Sequence, residues 1–228
     1  KELVGNYKRQ GKEWRKKGDP RRVNDHDFPS TDAKKINPFG IFDVQRKEGF
    51  VVCNDSHDTA EFVYNTLKSW WEKEGQIHYP RAKRVLYLTD SGGSDGYRSR
   101  MFKKYMQDFA DETGLEVHVC HYPRGTSKWN PIEHKLFSHI SRSMQAKPLL
   151  SISYAVNAIA STTTKTGLSV KCEYDGREYS TGQTISDKDF KTIAIMRKRS
   201  LGTMNYYFLP KVPRLVSRAR SQKFNPLV

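Results

Sequence analysis

Residues 84–90, RVLYLTD, constrain the fold of this chain more than any other stretch. The run is short, apolar and closed at once by the turn-forming SGGSDG. Such a run reads as a strand buried on both faces, as in a parallel sheet. Parallel neighbours need a crossover, and the sequence supplies one. A helix is expected over 97–113, with Met101, Tyr105 and Phe109 beside Phe102 and Met106 on its apolar side, and Gly114 stops it. The next strand is LEVHVCHY, 115–122, expected to lie beside 84–90. The fold class is therefore α/β: a mixed sheet flanked by helices.

Upstream, KELVGNYK reads as a strand, and 9–38 as a long polar insertion. GIFDVQRKEGFVVCN reads as a hairpin around Gly49, which makes the first three strands antiparallel to one another. A helix over 58–74 is expected, capped by Asp58 through Glu61, with Val63, Leu67, Trp70 and Trp71 on one face. Downstream, a helix with Ile132, Leu136, Ile140 and Met144 beside Phe137 follows the loop PRGTSKWN. Residues 153–161 read as a short helix, and LSVKCEYDGREYSTGQ as a late hairpin turning at Asp175-Gly176. The expected organisation is one domain over 1–208 and a disordered basic tail over 209–228.

The balance of charge narrows the partner. With 40 Lys+Arg against 25 Asp+Glu among 228 residues, the formal charge is +15, which suits a polyanion, nucleic acid before an anionic membrane surface. No apolar run approaches the roughly 18 residues of a membrane span, and the N-terminus is not a signal peptide. Cys53, Cys120 and Cys172, odd in number and far apart, read as reduced thiols. Trp14, Trp70 and Trp71 are core candidates; Trp129 is a candidate for base stacking.

Two acids stand out in this basic chain. Asp90 closes the buried strand, at the end where open α/β sheets gather ligand groups. Either it holds a divalent cation or its side chain only closes an Asx-turn. Glu133 stands three residues after Asn130, a good N-cap, with Pro131 at the first helical position. Either it completes a capping box or it is a metal ligand. A strand and a loop separate the two acids, so both are expected at one edge of the sheet. Arg124, Lys128, His134 and Lys135 surround that edge, and Arg98 and Arg100 lie near the other flank, as phosphates would require. A zinc set of Cys53, His118, Cys120 and His121 is the weaker option, since it lacks paired ligand spacing.

TDSGGSDGYRSR, VCHYPRGTSKWNPIEHKLFSHI and STTTKTGLSVKCEYD resemble the catalytic domain of DDE transposases of bacterial insertion sequences. The nearest likeness is to the Rhodopirellula-type (ISAzo-like) family, a relative of the Tc/mariner group, and it runs from Lys1 to about Phe208. The resemblance implies an RNase H-like fold of the retroviral integrase superfamily. It also implies Mg2+ or Mn2+ as cofactor, and strand cleavage and transfer at transposon ends. Asp90 would be the second acid and Glu133 the third, both catalytic and metal-binding. Arg98, Arg100, Arg124, Lys128, Trp129 and Lys135 would meet DNA, both transposon ends and target. The setting implied is a bacterial cytoplasm, at the nucleoid, with a homo-oligomer formed by the full-length protein.

The first aspartate of that family lies on the first strand, ahead of KELVGNYK. The resemblance thus implies a chain that begins inside that strand, without its first acid and without the upstream helix-turn-helix. Asp25, Asp27 and Asp43 are the internal candidates to stand in for it. Lacking that acid, the chain is expected to bind metal weakly and to be inactive as it stands. A non-enzymatic DNA-binding remnant and a different RNase H-like nuclease are the competing readings.

Overall fold

The computed structural model describes residues 1–211. Its first strand is brief: β1, Glu2–Leu3, pairs antiparallel with the start of β2, Lys35–Asp43. β2 and β3 (Glu48–Asn54) form the expected antiparallel hairpin, from Asn37 opposite Asn54 to Asp43 opposite Glu48. The hairpin does not turn at Gly49. Asp43 Oδ1 accepts the N–H groups of Gln45 and Arg46, each at 3.0 Å, and Lys47 takes φ 59°. An aspartate closing a turn on the following backbone outweighs the glycine signal.

Gly49 instead lies inside β3, where its bareness admits another element. A Cβ built there would come within 2.4 Å of Leu136 Cδ1. Leu136 is fully buried, and with Ile140 and Met144 it packs on β3 among Val51, Ile159 and Val170. The helical segment that begins at Glu133 is seated on the sheet by this contact.

Helix α1, Ala60–Trp70, is capped by Thr59, whose hydroxyl accepts from the Phe62 N–H. Asp58, the expected cap, accepts instead from Ser94 Oγ at 2.7 Å. The helix runs on through a π-helical turn, Trp71–Gly75, into α2, Gln76–His78. The crossover elements are β4 (Arg84–Thr89), α3 (Arg100–Thr113, capped by Ser99) and β5 (Glu116–His121), in the expected order. β4 is not buried on both faces, however: Leu86 and Leu88 are exposed, because among the described residues the strand has β5 alone as neighbour. β4 and β5 are parallel neighbours, and Gly114 ends α3 at φ 68°. Phe102, Met106 and Phe109 on α3 pack against Val117 and Val119 on β5 and against Leu67 and Trp71 on the α1 side.

After Glu133 come α4 (Ser138–Ser143), α5 (Ile152–Ala160) and β6 (Ser169–Tyr174), which joins β3 in parallel. The expected late hairpin is absent. Asp175 binds the Tyr179 hydroxyl and the Arg177 side chain, and buried Tyr179 packs on Phe62 at 5.3 Å between ring centroids. The chain is pulled over the α1 face rather than back along β6. The last elements are α6 (Asp187–Lys191), β7 (Met196–Arg197) and β8 (Asn205–Phe208).

One mixed sheet was expected; the described residues form two. Their orders are β1-β2-β3-β6 and β4-β5-β8-β7, four strands each. The reason is local: β2 is bound to β1 only at Lys35 and Ile36, and β4 has β5 alone as partner, so no strand joins the halves. The insertion over 9–38 is irregular up to Lys35, where β2 already begins. Trp14, expected in the core, is fully exposed there, and of the four tryptophans only Trp71 is buried. Of the expected tail only residues 209–211 are described; Gln107 Nε2 donates to the Leu209 carbonyl at 2.8 Å, and 212–228 lie outside the described residues.

Replacing Gly49 by alanine should destabilise the fold by about 1–3 kcal/mol, because Leu136 has nowhere to retreat. Urea denaturation checks this, and restoration of stability by the pair Gly49→Ala with Leu136→Ala would place the clash at that contact.

Candidate functional site

The pairing of β4 with β5 sets two strand ends side by side, Thr89 opposite His121. Asp90 follows β4, half-buried, and the chain leaving β5 returns through a short turn, Ser127–Trp129, to Asn130. Asn130 is buried and works in two directions. Its Nδ2 donates to Asp90 Oδ1 at 3.2 Å, while its Oδ1 accepts from the Ile132 N–H at 3.3 Å. The cap of the Glu133 helix thus holds the Asp90 carboxylate as well.

Glu133 opens a π-helical turn, Glu133–Phe137, that leads into α4. Among the described residues its carboxylate accepts no hydrogen bond and meets no cation, so a capping box is not formed. Its carboxyl is pushed above the ordinary value by loss of water on its inward flank and then by the Asp90 charge, with His134 opposing. The side chain of Asp90 makes no bond to the backbone that follows it, so the Asx-turn is not formed either. Both acids line the mouth of one cleft of about 740 Å3, which Asn130 and Ile132 also border.

A buried polar layer supports Asp90 from behind. His121 Nδ1 lies 2.9 Å from the Asp90 carbonyl, and its Nε2 lies 2.7 Å from the Tyr206 hydroxyl. The carbonyl can only accept, so Nδ1 carries the proton and Tyr206 donates to Nε2. Burial depresses the His121 pKa and favours this neutral ring. Buried Asp95 accepts from the Tyr87 hydroxyl at 2.8 Å and from the Thr89 hydroxyl, fastening the glycine-rich turn to β4. Burial pushes the Asp95 carboxyl up to about 6 against those hydrogen bonds. The sequence reading missed Asn130 as a partner of Asp90, and missed Asp95 altogether; only the acid within SGGSDG hinted at the latter.

The basic residues divide. Arg98 and Arg124 stand over the Tyr97 ring, 5.5 and 5.9 Å from its centroid. Arg124 and Asp90 also border a shallow depression of about 450 Å3 with Ser127. Lys128, Trp129 and Lys135 are exposed beside it, and His134 Nε2 lies 2.5 Å from the Lys128 carbonyl. Arg100 is turned elsewhere, paired with Asp187 and stacked on Phe190 at 5.0 Å.

The zinc set does not assemble. His118 stacks on Tyr207 and bonds Glu116 at 2.7 Å, His121 is committed as above, and Cys53 lies in the other sheet, 3.8 Å from Cys172 Sγ. A different trio, Glu48, Glu74 and His78, has ligand atoms within 4.8 Å of one another. Its charge is already met, Glu48 by Arg46 at 2.8 Å and Glu74 by Lys171 at 2.6 Å. Asp43 accepts from Tyr79 at 2.8 Å, at the end of the cleft where β4 begins, and Asp25 and Asp27 are exposed in the insertion. Six residues of strand, about 20 Å, separate the Asp43 end from Asp90.

Two acids without cationic partners, at a strand end of an α/β fold that carries a formal charge of +15, define a candidate divalent-cation site beside a polyanion surface. The chain belongs to the family described as the Rhodopirellula transposase DDE domain, whose model matches residues 1–210. No curated protein and no solved structure matches it. Membership implies, in general, a transposase that uses a divalent metal and acts on DNA. Among the described residues no helix is long and apolar enough to cross a membrane.

Asp95 generates a pH test. Its folded value of about 6 lies above the ordinary 3.8, so the stability it contributes is complete below about 3.8 and is lost as pH rises toward 6. Asp95→Asn should remove that loss, gaining up to about 3 kcal/mol relative to the parent between the two limits. Urea midpoints near pH 4 and pH 7 read the difference; a difference that does not change with pH would contradict it.

Proposed function

We propose that this chain is the catalytic domain of a transposase that cleaves and transfers DNA strands at transposon ends, as a polynucleotidyl transferase. The observation that carries the reading is the meeting of Asp90 and Glu133 at one cleft mouth, in a chain whose family match covers residues 1–210. An RNase H-like architecture accommodates this, with the acids at the end of the β4–β5 pair. A relation to the Tc/mariner group belongs to the same reading.

The donor set suits Mg2+ or Mn2+. Hard cations of this size take one or two carboxylates and keep several waters, and among the described residues both carboxylates are free of cationic partners. Asp90, held by Asn130, would offer its second oxygen, and Glu133, its pKa raised by burial first and by the Asp90 charge second, would ionise against the metal. When bound, the metal supplies activation of the attacking oxygen and stabilisation of the leaving one. The protein's own share is positioning: Asn130 orients Asp90, and the buried Tyr206–His121 pair holds the Asp90 backbone.

Arg98, Arg124, Lys128 and Lys135 would neutralise phosphates near the acids, and exposed Trp129 would stack on an unpaired base. Arg100, engaged with Asp187, would reach DNA only after leaving that pair. The setting that goes with this reading is a bacterial cytoplasm, at the nucleoid, with a homo-oligomer formed by the full-length protein. Two acids do not complete a two-metal centre. In this reading a third acid completes the site, and Asp90 and Glu133 by themselves bind metal weakly.

Two measurements test the reading. Four phosphate contacts predict a fall in duplex affinity of roughly a hundredfold between about 50 and 200 mM salt, with Lys128→Glu lowering the slope. Affinity that ignores salt would remove DNA from the proposal. In the second, a version extended upstream should nick DNA bearing the element's ends in Mg2+, and Asp90→Asn or Glu133→Gln should each cost roughly a thousandfold or more. Robust nicking by the unextended chain, lost in Asp90→Ala, would show that the unextended chain completes the site with an acid of its own.

A further inference from the structure

Between Glu133 and Glu173 the chain carries no aspartate or glutamate, although Lys135, Arg142, Lys147, Lys165 and Lys171 fall within that stretch. The gap opens immediately after one of the two acids of the site. Its first part is the helical segment that leaves the cleft, and the exposed side of that segment forms a row. Lys135, Ser138, Arg142 and Gln145 succeed one another at intervals of three or four residues and are all exposed, while Leu136, Ile140 and Met144 are buried. Residues at that spacing share one face of a helix. The row leads away from Glu133 as a strip of basic and small polar groups, with no carboxylate to repel an anion. From Lys135 to Gln145, at about 1.5 Å per residue, it is about 15 Å long.

The far end of the row meets the polar insertion. The Ala146 N–H donates to the Gln10 carbonyl at 2.7 Å, and Arg9 Nε donates to the Met144 carbonyl at 3.2 Å. Arg9 is also paired with Glu2 at 2.7 Å, and the Lys8 N–H donates to the Asn24 carbonyl at 2.9 Å, closing the arm at its base. What the arm holds out, KRQGKEWRKKGDPRR over 8–22, has Glu13 and Asp19 as its only acids. Both are met by arginines of the arm itself, Glu13 by Arg21 at 3.3 Å and Asp19 by Arg15 at 3.7 Å. Lys12, Lys16 and Lys17 are exposed and meet no acid among the described residues. Trp14 stands among them fully exposed, so its indole contributes nothing to the core. With Lys16, Arg21, Ala146 and Pro148 it borders a hollow of about 630 Å3.

We infer that the row and the arm together form a second duplex-binding surface, along which DNA leaving the Asp90–Glu133 cleft is held for about half a helical turn. One strand of B-DNA carries a phosphate about every 3.4 Å of axis, so a track of about 15 Å spans about four of them. A stiff duplex suits this surface, because backbone hydrogen bonds fix its two basic ends apart and the helix between them is straight. Arg142 and Lys147 would take phosphates along the row, and Lys16 and Lys17 those at its far end. Trp14 would pack on the sugar faces between them. Contacts of this kind position a duplex and carry no base sequence. The inference rests on the DNA reading of the site and extends it from the reacting phosphate to the flanking duplex.

Salt dependence and a lysine footprint test it in the chain as it stands. The four cations beside the acids account for a loss of duplex affinity of roughly a hundredfold between about 50 and 200 mM salt. Arg142, Lys16 and Lys17 raise that loss to roughly a thousandfold or more. Lys16→Ala with Lys17→Ala, and separately Arg142→Ala, should bring it back toward a hundredfold, whereas Trp14→Ala should weaken binding and leave the slope unchanged. All four positions are exposed, so the urea midpoints should match the parent. Acetylation read by mass spectrometry locates the contact without any substitution. A bound duplex of about two helical turns should protect Lys12, Lys16, Lys17 and Lys147 roughly fivefold and leave Lys83, ahead of β4 at the end opposite Asp90, open. Three results would overturn the inference: a salt dependence that ignores the arm variants, protection of Lys83 equal to that of the arm, or arm protection without DNA in a particle of dimer mass, which would make a second copy the partner. An unprotected arm, with Lys128→Glu still lowering the slope, would strike this surface and leave the proposed function standing. Arm protection with no nicking by any version would remove catalysis and leave the surface in place.

Discussion

The parallel pairing of β4 with β5 is the constraint on which the rest of the structure hangs. Its register, Arg84 opposite Glu116 through Thr89 opposite His121, brings two carboxyl-terminal strand ends together. Everything chemical follows from what the chain does next at each end. After Thr89 it places Asp90 and folds the glycine-rich turn back, so that Asp95 can reach the Tyr87 and Thr89 hydroxyls. After His121 it loops to Asn130 and starts the helical segment of Glu133. α3, which makes the crossover, fills the space beneath with Phe102, Met106 and Phe109. Without that packed crossover the two ends would have no fixed relation.

Asn130 then links the halves of the molecule. Asp90 belongs to the β4–β5 sheet, whereas the helix from Glu133 is seated on β3 and β6 through Leu136 and Ile140. One amide side chain spans this division, donating to Asp90 and capping the helix with its oxygen. Charge is handled differently at the site and away from it. Glu48, Glu74, Glu112 and Glu173 all meet a basic side chain within 2.8 Å. Asp90 and Glu133, in a chain with 15 more basic than acidic groups, meet none among the described residues. In the proposed reading a divalent cation would relieve the repulsion between these two carboxylates.

Sequence alone determined the elements whose cause is local. The short run of β4, the apolar face of α3 with its stop at Gly114, and the strand after it follow from periodicity and the left-handed conformation that glycine takes without strain. The parallel neighbours and the place of both acids at one edge follow from the short connection between them. Where a long-range contact competed with a local signal, the sequence misled. Gly49 looked like a turn but makes room for Leu136; Asp175-Gly176 looked like a hairpin, but Tyr179 is drawn under Phe62; Asp58 looked like a cap but bonds Ser94. Tertiary structure alone decided that Asn130 holds Asp90, that Arg100 is spent on Asp187, and that the strands divide into two sheets facing across a cleft. Each of these depends on residues far apart in the chain, and a pattern of neighbours cannot report which distant edge is left without a partner.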